Sequence, residues 1–191
     1  MTNLEALLAD LTAGDDSRAE AALPHLAILG DIALSPLLDL LKDSHADHRW
    51  WAVRALAAIG GPAIAPALQA ALADPEASIR QCSALALRQH PAPEAVPALV
   101  GCLNDPDRLA ARLAADALAA VGGPASAALI QALTSPHASV RIEAARALAI
   151  LQDKQSIPAL LEAIDDPSAM VQYWAEEALD RMGVGMVFFK P

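Results

Sequence analysis

The chain repeats itself about every 31 residues, and that period limits its possible folds more than any other feature. Asp43, Asp74, Asp105, Ser135 and Asp166 act as successive anchors, spaced 31, 31, 30 and 31 residues apart. Asp74-Pro75, Asp105-Pro106, Ser135-Pro136 and Asp166-Pro167 share one turn chemistry. The side-chain oxygen can accept from the free N–H groups of a coming helix, and proline suits a helix start. Five residues after the anchor stands an apolar residue, often followed by Arg, as in Ile79-Arg80 and Val140-Arg141. Leu56, Leu87, Leu118, Leu148 and Leu179 all fall at offset 13, and Gly60, Gly122 and Gly183 at offset 17. Pro36, Pro66, Pro97 and Pro158 recur at offset 23, ahead of short Leu/Ala runs. A degenerate first unit is visible in Leu23, Leu26, Leu29 and Gly30.

This pattern predicts helix pairs that cannot bury their own apolar faces and must stack on their neighbours. First helices are expected near 3–12, 32–42, 62–73, 94–103, 124–133 and 155–165. Second helices are expected near 16–29, 46–59, 76–89, 107–121, 137–151 and 168–182. The expected fold class is therefore all-α, a right-handed α-solenoid of six helix pairs. It forms one domain over 1–183, with an apolar tail over 184–191. That tail, Val184-Gly185-Met186-Val187-Phe188-Phe189-Lys190-Pro191, reads as a cap over the last repeat, the alternative being a docking peptide.

Composition removes several function classes. The 191 residues are 55% hydrophobic but only 3% aromatic, so the apolar mass is aliphatic and the chain is not wholly disordered. A formal net charge of −10 argues against nucleic acid, whose phosphates need clustered cations. Two uncharged stretches, 55–73 and 117–140, tempt a membrane reading, but each is interrupted by Gly-Gly-Pro. A spanning helix broken there would leave unsatisfied backbone in lipid, so no membrane partner is expected. Two cysteines make no disulfide framework, which suits a reducing, cytoplasmic setting.

The run Asp-Pro-x-x-x-Val-Arg-x-x-Ala-Ala-x-Ala-Leu-x-x-Ile-Gly, best matched over Asp74–Leu87 and Ser135–Leu148, resembles HEAT-like repeats of the short-unit, phycobilisome-lyase kind. The resemblance covers essentially the whole chain. Departures are Ala111 in place of the usual Arg, His90 in place of the usual Ile, and a Gly-poor first unit. It implies that the second helix of each pair lines the concave face.

If offsets 5, 9, 13 and 16 face the core, offsets 4, 7, 8, 11 and 15 face away from it. Every Trp and the one Tyr fall on the outward set, Trp50-Trp51 and Tyr173-Trp174 at the same two offsets. Cys82, Leu85, Leu109, Leu113, Ile142 and Met170 add apolar surface, and Arg54, Arg112, Arg146 and Arg181 are spread among them. Aromatic, Met and Arg side chains on an outward strip are what binding surfaces are enriched in. These fourteen residues form the candidate partner-binding set, with the arginines expected to steer acidic groups. The competing reading is that the aromatics only pack over neighbouring helices.

No catalytic constellation stands out, and no cofactor or metal is expected. Asp43, His45, Asp47 and His48 lie together in one turn, where solvated or capping roles outweigh a metal site. Cys82 beside arginines could be an activated thiol, but a small apolar filler is the better reading. Arg49, Arg80 and Arg141 at offset 6 are expected to pair with acids or helix ends across units. The sequence thus supports a non-catalytic scaffold holding a protein or peptide on its concave face. The alternative implied by the resemblance is a tetrapyrrole-handling, phycobilin lyase-like subunit acting on a partner protein. A bilin would then stack on the aromatics and pair its propionates with the arginines.

Overall fold

Helix boundaries follow from the repeat. The computed structural model describes residues 4–184, and these form twelve α-helices with short 3₁₀ turns and, among the described residues, no strand. The first helices are α1 (Leu4–Leu11), α3 (Asp31–Leu40), α5 (Ala65–Ala71), α7 (Val96–Gly101), α9 (Gly123–Ala132) and α11 (Ile157–Ala163). The second helices are α2 (Asp16–Leu29), α4 (Ala46–Ile59), α6 (Ala77–Gln89), α8 (Arg108–Val121), α10 (Ala138–Leu151) and α12 (Ala169–Arg181). The fold is all-α and of the α-solenoid class. The expected tail lies, from residue 185 on, outside the described residues.

The chain divides into two compact units, Met1–Ala95 and Val96–Pro191. In the first unit α2 packs on α4 and α4 on α6; in the second α8 packs on α10 and α10 on α12. Second helices thus form a layer in each unit, and first helices cover its other side. Leucine at offset 13 is the centre of each pair: Leu56, Leu87, Leu118 and Leu148 are fully buried and Leu179 nearly so. Each contributes about 1.5–3 kcal/mol by leaving water. The alanines at offset 12 (Ala55, Ala86, Ala117, Ala147 and Ala178) are buried beside them, small enough for close helix approach.

Proline decides how the first helices begin. Pro66, Pro97 and Pro158 follow 3₁₀ turns at Pro62–Ile64, Pro93–Ala95 and Lys154–Ser156, so each lies in the first turn of its α-helix. Its missing N–H costs nothing there. Ala128 replaces proline in the fifth pair, and α9 runs uninterrupted from Gly123. Pro36 is the exception, lying inside α3.

The anchors do not cap the second helices as expected; they build the turn before them. Oδ1 of Asp43, Asp74, Asp105 and Asp166 accepts the backbone N–H two residues on, at 2.8, 2.9, 2.8 and 2.8 Å. The N-cap residue proper stands at offset 2: His45, Glu76, Asp107, His137 and Ser168. An aspartate closing this local turn leaves its carboxylate available to a second partner.

Arginine at offset 6 is that partner. Arg49 donates from Nε and Nη2 to Asp74 at 2.7 and 2.9 Å, and from Nη1 to the Asp43 carbonyl at 2.9 Å. Arg141 repeats this on Asp166 (2.7 and 3.0 Å) and on the Ser135 carbonyl (2.8 Å). Each fork ties one anchor turn to the next. Where Ala111 replaces the arginine, the following anchor is Ser135, so arginine and carboxylate are lost together.

These pairs give acid sensitivity a definite sign. The Arg141 fork, against the opposing effect of burial, holds the Asp166 carboxyl below its usual range. A depressed folded-state pKa stabilises above the unfolded value, about 3.9, and that contribution disappears as pH falls through the folded value. Asp166→Asn should therefore lower stability by about 1 kcal/mol at pH 7. Thermal unfolding between pH 2 and 7 should show the gap to wild type narrowing once the pH falls below the unfolded value of about 3.9. A gap that stays as wide there would mean the pair does not act through charge.

Two helix ends depart from the glycine rule in informative ways. Gln152 adopts φ 55° at the end of α10, where Gly60 and Gly122 serve elsewhere. Gly60, at φ 71°, is held by space as well, since a Cβ there would come within 2.9 Å of the His90 ring. His90 stands at the usual Ile position, and its Nε2 lies 2.8 Å from the Ala57 carbonyl. It is a strut between α6 and α4.

Candidate binding surface

The outward phase read from the sequence is correct at offsets 4 and 15. Asp47, Ser78, Leu109, Ser139 and Met170 are exposed, as are Ala58, Gln89, Ala120, Ile150 and Arg181. Offset 8 is deeper throughout, and offset 11 is deeper everywhere but at Leu85. Trp51 is only 7% exposed and Arg146 only 6%, against the expectation that both face solvent. The physical reason is lateral packing, because these offsets lean on the second helix of the adjacent pair.

In the first unit, Trp50 and Trp51 meet edge to face, their ring centroids 4.8 Å apart. The Arg54 guanidinium stands 5.1 and 5.3 Å from the two rings. Nη1 and Nη2 of Arg54 also grip the Glu20 carboxylate, each at 2.9 Å. Trp50, Trp51 and Arg54 of α4 form one wall of an open cleft of roughly 620 Å³, and Asp16, Ser17, Glu20 and Ala21 of α2 the other. The α2 wall was missed in the sequence. Aligning Gly30 on Gly60 would have found it, since Ser17, Glu20 and Ala21 then take offsets 4, 7 and 8.

Cys82 and Leu85 lie on α6 of the same unit, Cys82 half-buried and Leu85 exposed. Burial pushes the Cys82 thiol up to about 11, with Arg54 only partly opposing it. The thiol is therefore protonated at neutral pH, which removes the activated-nucleophile reading.

In the second unit, Leu109, Arg112 and Leu113 come from α8, Ile142 and Arg146 from α10, and Met170, Tyr173, Trp174 and Arg181 from α12. Leu109 is 51% exposed, Met170 49% and Tyr173 52%. Tyr173 and Trp174 meet edge to face at 5.1 Å, repeating the arrangement of the tryptophan pair.

The arginines do not form the expected acid-steering strip. Arg54 is paired with Glu20, and Arg181 with Glu177 at 2.7 Å. Arg146 donates to Asp116 at 2.7 Å, to Glu143 at 2.8 Å and to the Arg112 carbonyl at 2.8 Å. Arg112 is exposed, and no carboxylate among the described residues forms an ion pair with it. The acids come from the adjacent helix or the preceding turn of the same helix, so most of the positive charge is spent inside the protein.

The turn cluster is tighter than its sequence spacing suggested. His45 Nδ1 and His48 Nδ1 lie 3.1 and 3.2 Å from Asp43 Oδ1. The His45 backbone N–H, and after it the His48 ring, hold the Asp43 carboxyl down at about 2.

Known proteins share this architecture. The family model for HEAT repeats matches residues 4–88, 34–119 and 102–180. No curated protein matches the chain significantly. An engineered protein of known crystal structure is 25% identical, with a TM-score of 0.58, over 97% of this chain and 98% of that one. A designed armadillo repeat protein solved with the peptide (KR)4 is 21% identical, with a TM-score of 0.54, over 95% and 100%. The CpcE–CpcF complex of phycocyanin lyase from Nostoc sp. PCC7120 is 24% identical, with a TM-score of 0.58, over 96% and 78%. Among the described residues, no helix is long and apolar enough to cross a membrane.

Proposed function

Because the chain belongs to the HEAT-repeat family, we propose that it is a non-catalytic scaffold binding a protein or peptide on the second-helix face, the concave face of HEAT-like repeats. The observation that carries this reading is the placement of the aromatics. The three Trp and the one Tyr stand on second helices at two repeated offsets, with Leu109, Met170 and Tyr173 exposed among them. A helix that needed only solubility would place Lys and Glu there.

The electrostatics favour one class of partner segment. Arg54 and Glu20 neutralise each other in the first-unit cleft, which leaves Asp16 as the uncompensated charge among its lining residues. A carboxylate beside aromatic faces suits a lysine or arginine with apolar neighbours. An acidic segment would meet repulsion there. A bilin is disfavoured in that cleft for the same reason, since its propionates need cations that are not already paired.

Trp50→Ala with Tyr173→Ala tests the reading, because both side chains are at least partly exposed and the fold should survive. Immobilised wild type should retain a polypeptide from the source lysate, and the double variant at least about ten-fold less of it. Equal retention by both, with the variant's helical circular dichroism unchanged, would refute the aromatic surface. A pigment retained by wild type and lost by the variant would favour the tetrapyrrole alternative instead.

A further inference from the structure

His48 occupies a position where the repeat asks for hydrocarbon. At offset 5 the other units place Ile79, Ala110, Val140 and Val171, all buried. An imidazole there brings polar nitrogens into the packing, which is costly without partners. Its Nδ1 is buried and makes no well-directed hydrogen bond, although Asp43 Oδ1 is 3.2 Å away. A buried nitrogen set beside a carboxylate without a well-directed hydrogen bond asks what else the two could share.

The surroundings supply an answer. One ligand-capable atom each from Asp43, His45 and His48 lies within 4.8 Å of the other two, and the two imidazole rings are 4.9 Å apart. Two ligands about 2.05 Å from a tetrahedral metal stand roughly 3.3 Å from each other. The nitrogen–oxygen separations of 3.1 and 3.2 Å are close to that edge. The turn is already braced. Asp43 Oδ1 accepts the His45 N–H at 2.8 Å, and the Asp43 carbonyl accepts Arg49 Nη1 at 2.9 Å. Such outer contacts orient first ligands in metal sites. His45 and His48 also border a cavity of roughly 480 Å³ beneath the α1–α2 turn, whose wall carries two further carboxylates, Asp16 and Asp47. There is room for water as a fourth ligand and negative charge to offset the ion.

We propose that Asp43, His45 and His48 form a divalent transition-metal site at the turn between α3 and α4. Two imidazoles and one carboxylate select a borderline ion such as Zn²⁺ over Mg²⁺ or Ca²⁺, which prefer oxygen ligands throughout. The ion would pin the α3–α4 turn to the start of α4, and binding only the folded form it would raise thermal stability.

The test uses the full chain without an affinity tag, stripped with chelator and titrated with ZnCl₂ by calorimetry. One ion should bind per chain with a Kd on the order of 10 µM or tighter, and the Tm should rise with added Zn²⁺. His48→Leu should abolish binding yet fold at least as well as wild type, because leucine suits offset 5 of this repeat. His45→Ala should weaken binding at least about ten-fold. The proposal is overturned if wild type binds no Zn²⁺ at 100 µM, a concentration about ten times that expected Kd. It is equally overturned if His48→Leu binds as wild type does, or if Mg²⁺ competes on equal terms.

Discussion

Replacing Arg146 with alanine should destabilise the protein by about 3 kcal/mol, although its offset was expected from the sequence to face outward. The side chain is buried and satisfied at three points: the Asp116 carboxylate, the Glu143 carboxylate and the Arg112 carbonyl. Burial opposes the charge of Arg146, but the two carboxylates more than offset that, and the net effect raises its pKa. Truncation would leave two half-buried carboxylates facing each other with no cation between them. The penalty is therefore mostly that of the groups left behind, not the intrinsic worth of the pairs. Arg146→Lys keeps the charge but loses the planar fork, so it should recover only part of the loss. Urea midpoints of the three proteins should fall in the order wild type, lysine, alanine. An alanine variant within about 0.5 kcal/mol of wild type would show the triad to be energetically idle.

Arg146 also shows what the sequence could and could not convey. The period, the helix limits and the buried leucines at offset 13 were legible because they depend on spacing alone. The second helices came within a residue or so of their predicted limits at every unit. Depth at offsets 8 and 11 was not legible, because it depends on which side chain the adjacent helix presents. Arg54 and Arg146 share an offset, yet Arg54 remains partly exposed against Glu20 and two rings, while Arg146 is buried between Asp116 and Glu143. Partner acids 34 and 30 residues away cannot be read from one helix's periodicity. The same limit hid the α2 wall of the first-unit cleft, whose unit is too degenerate to align on an aspartate. His48 was the opposite case: its misfit at offset 5 is visible in the sequence, but only the nitrogen's place beside Asp43 and His45 gives the misfit a meaning.

Neighbouring tryptophans with opposite roles follow from the same geometry. Trp51 is buried and forms part of the wall of two cavities, the cleft beside Glu20 and the space beneath the α1–α2 turn. Trp51→Ala should merge them and cost about 3–4 kcal/mol, the sum of lost transfer energy and an unfilled void. Trp50, one residue earlier, is only half-buried, and its ring meets Trp51 edge-on with Arg54 nearby. Trp50→Ala should cost about 1 kcal/mol in stability, the scale of one aromatic contact and one exposed cation–π contact. Its larger consequence should appear in partner binding, since Trp50 is the more exposed of the two rings on that wall. Urea unfolding of both variants, followed by far-UV circular dichroism so that loss of an indole does not bias the signal, separates the roles. Equal destabilisation would mean that both rings are packing and that the first-unit cleft has no aromatic to spare for a partner. A large loss for Trp51→Ala beside a small one for Trp50→Ala would leave Trp50 as the residue through which this cleft can be probed without unfolding the repeats around it.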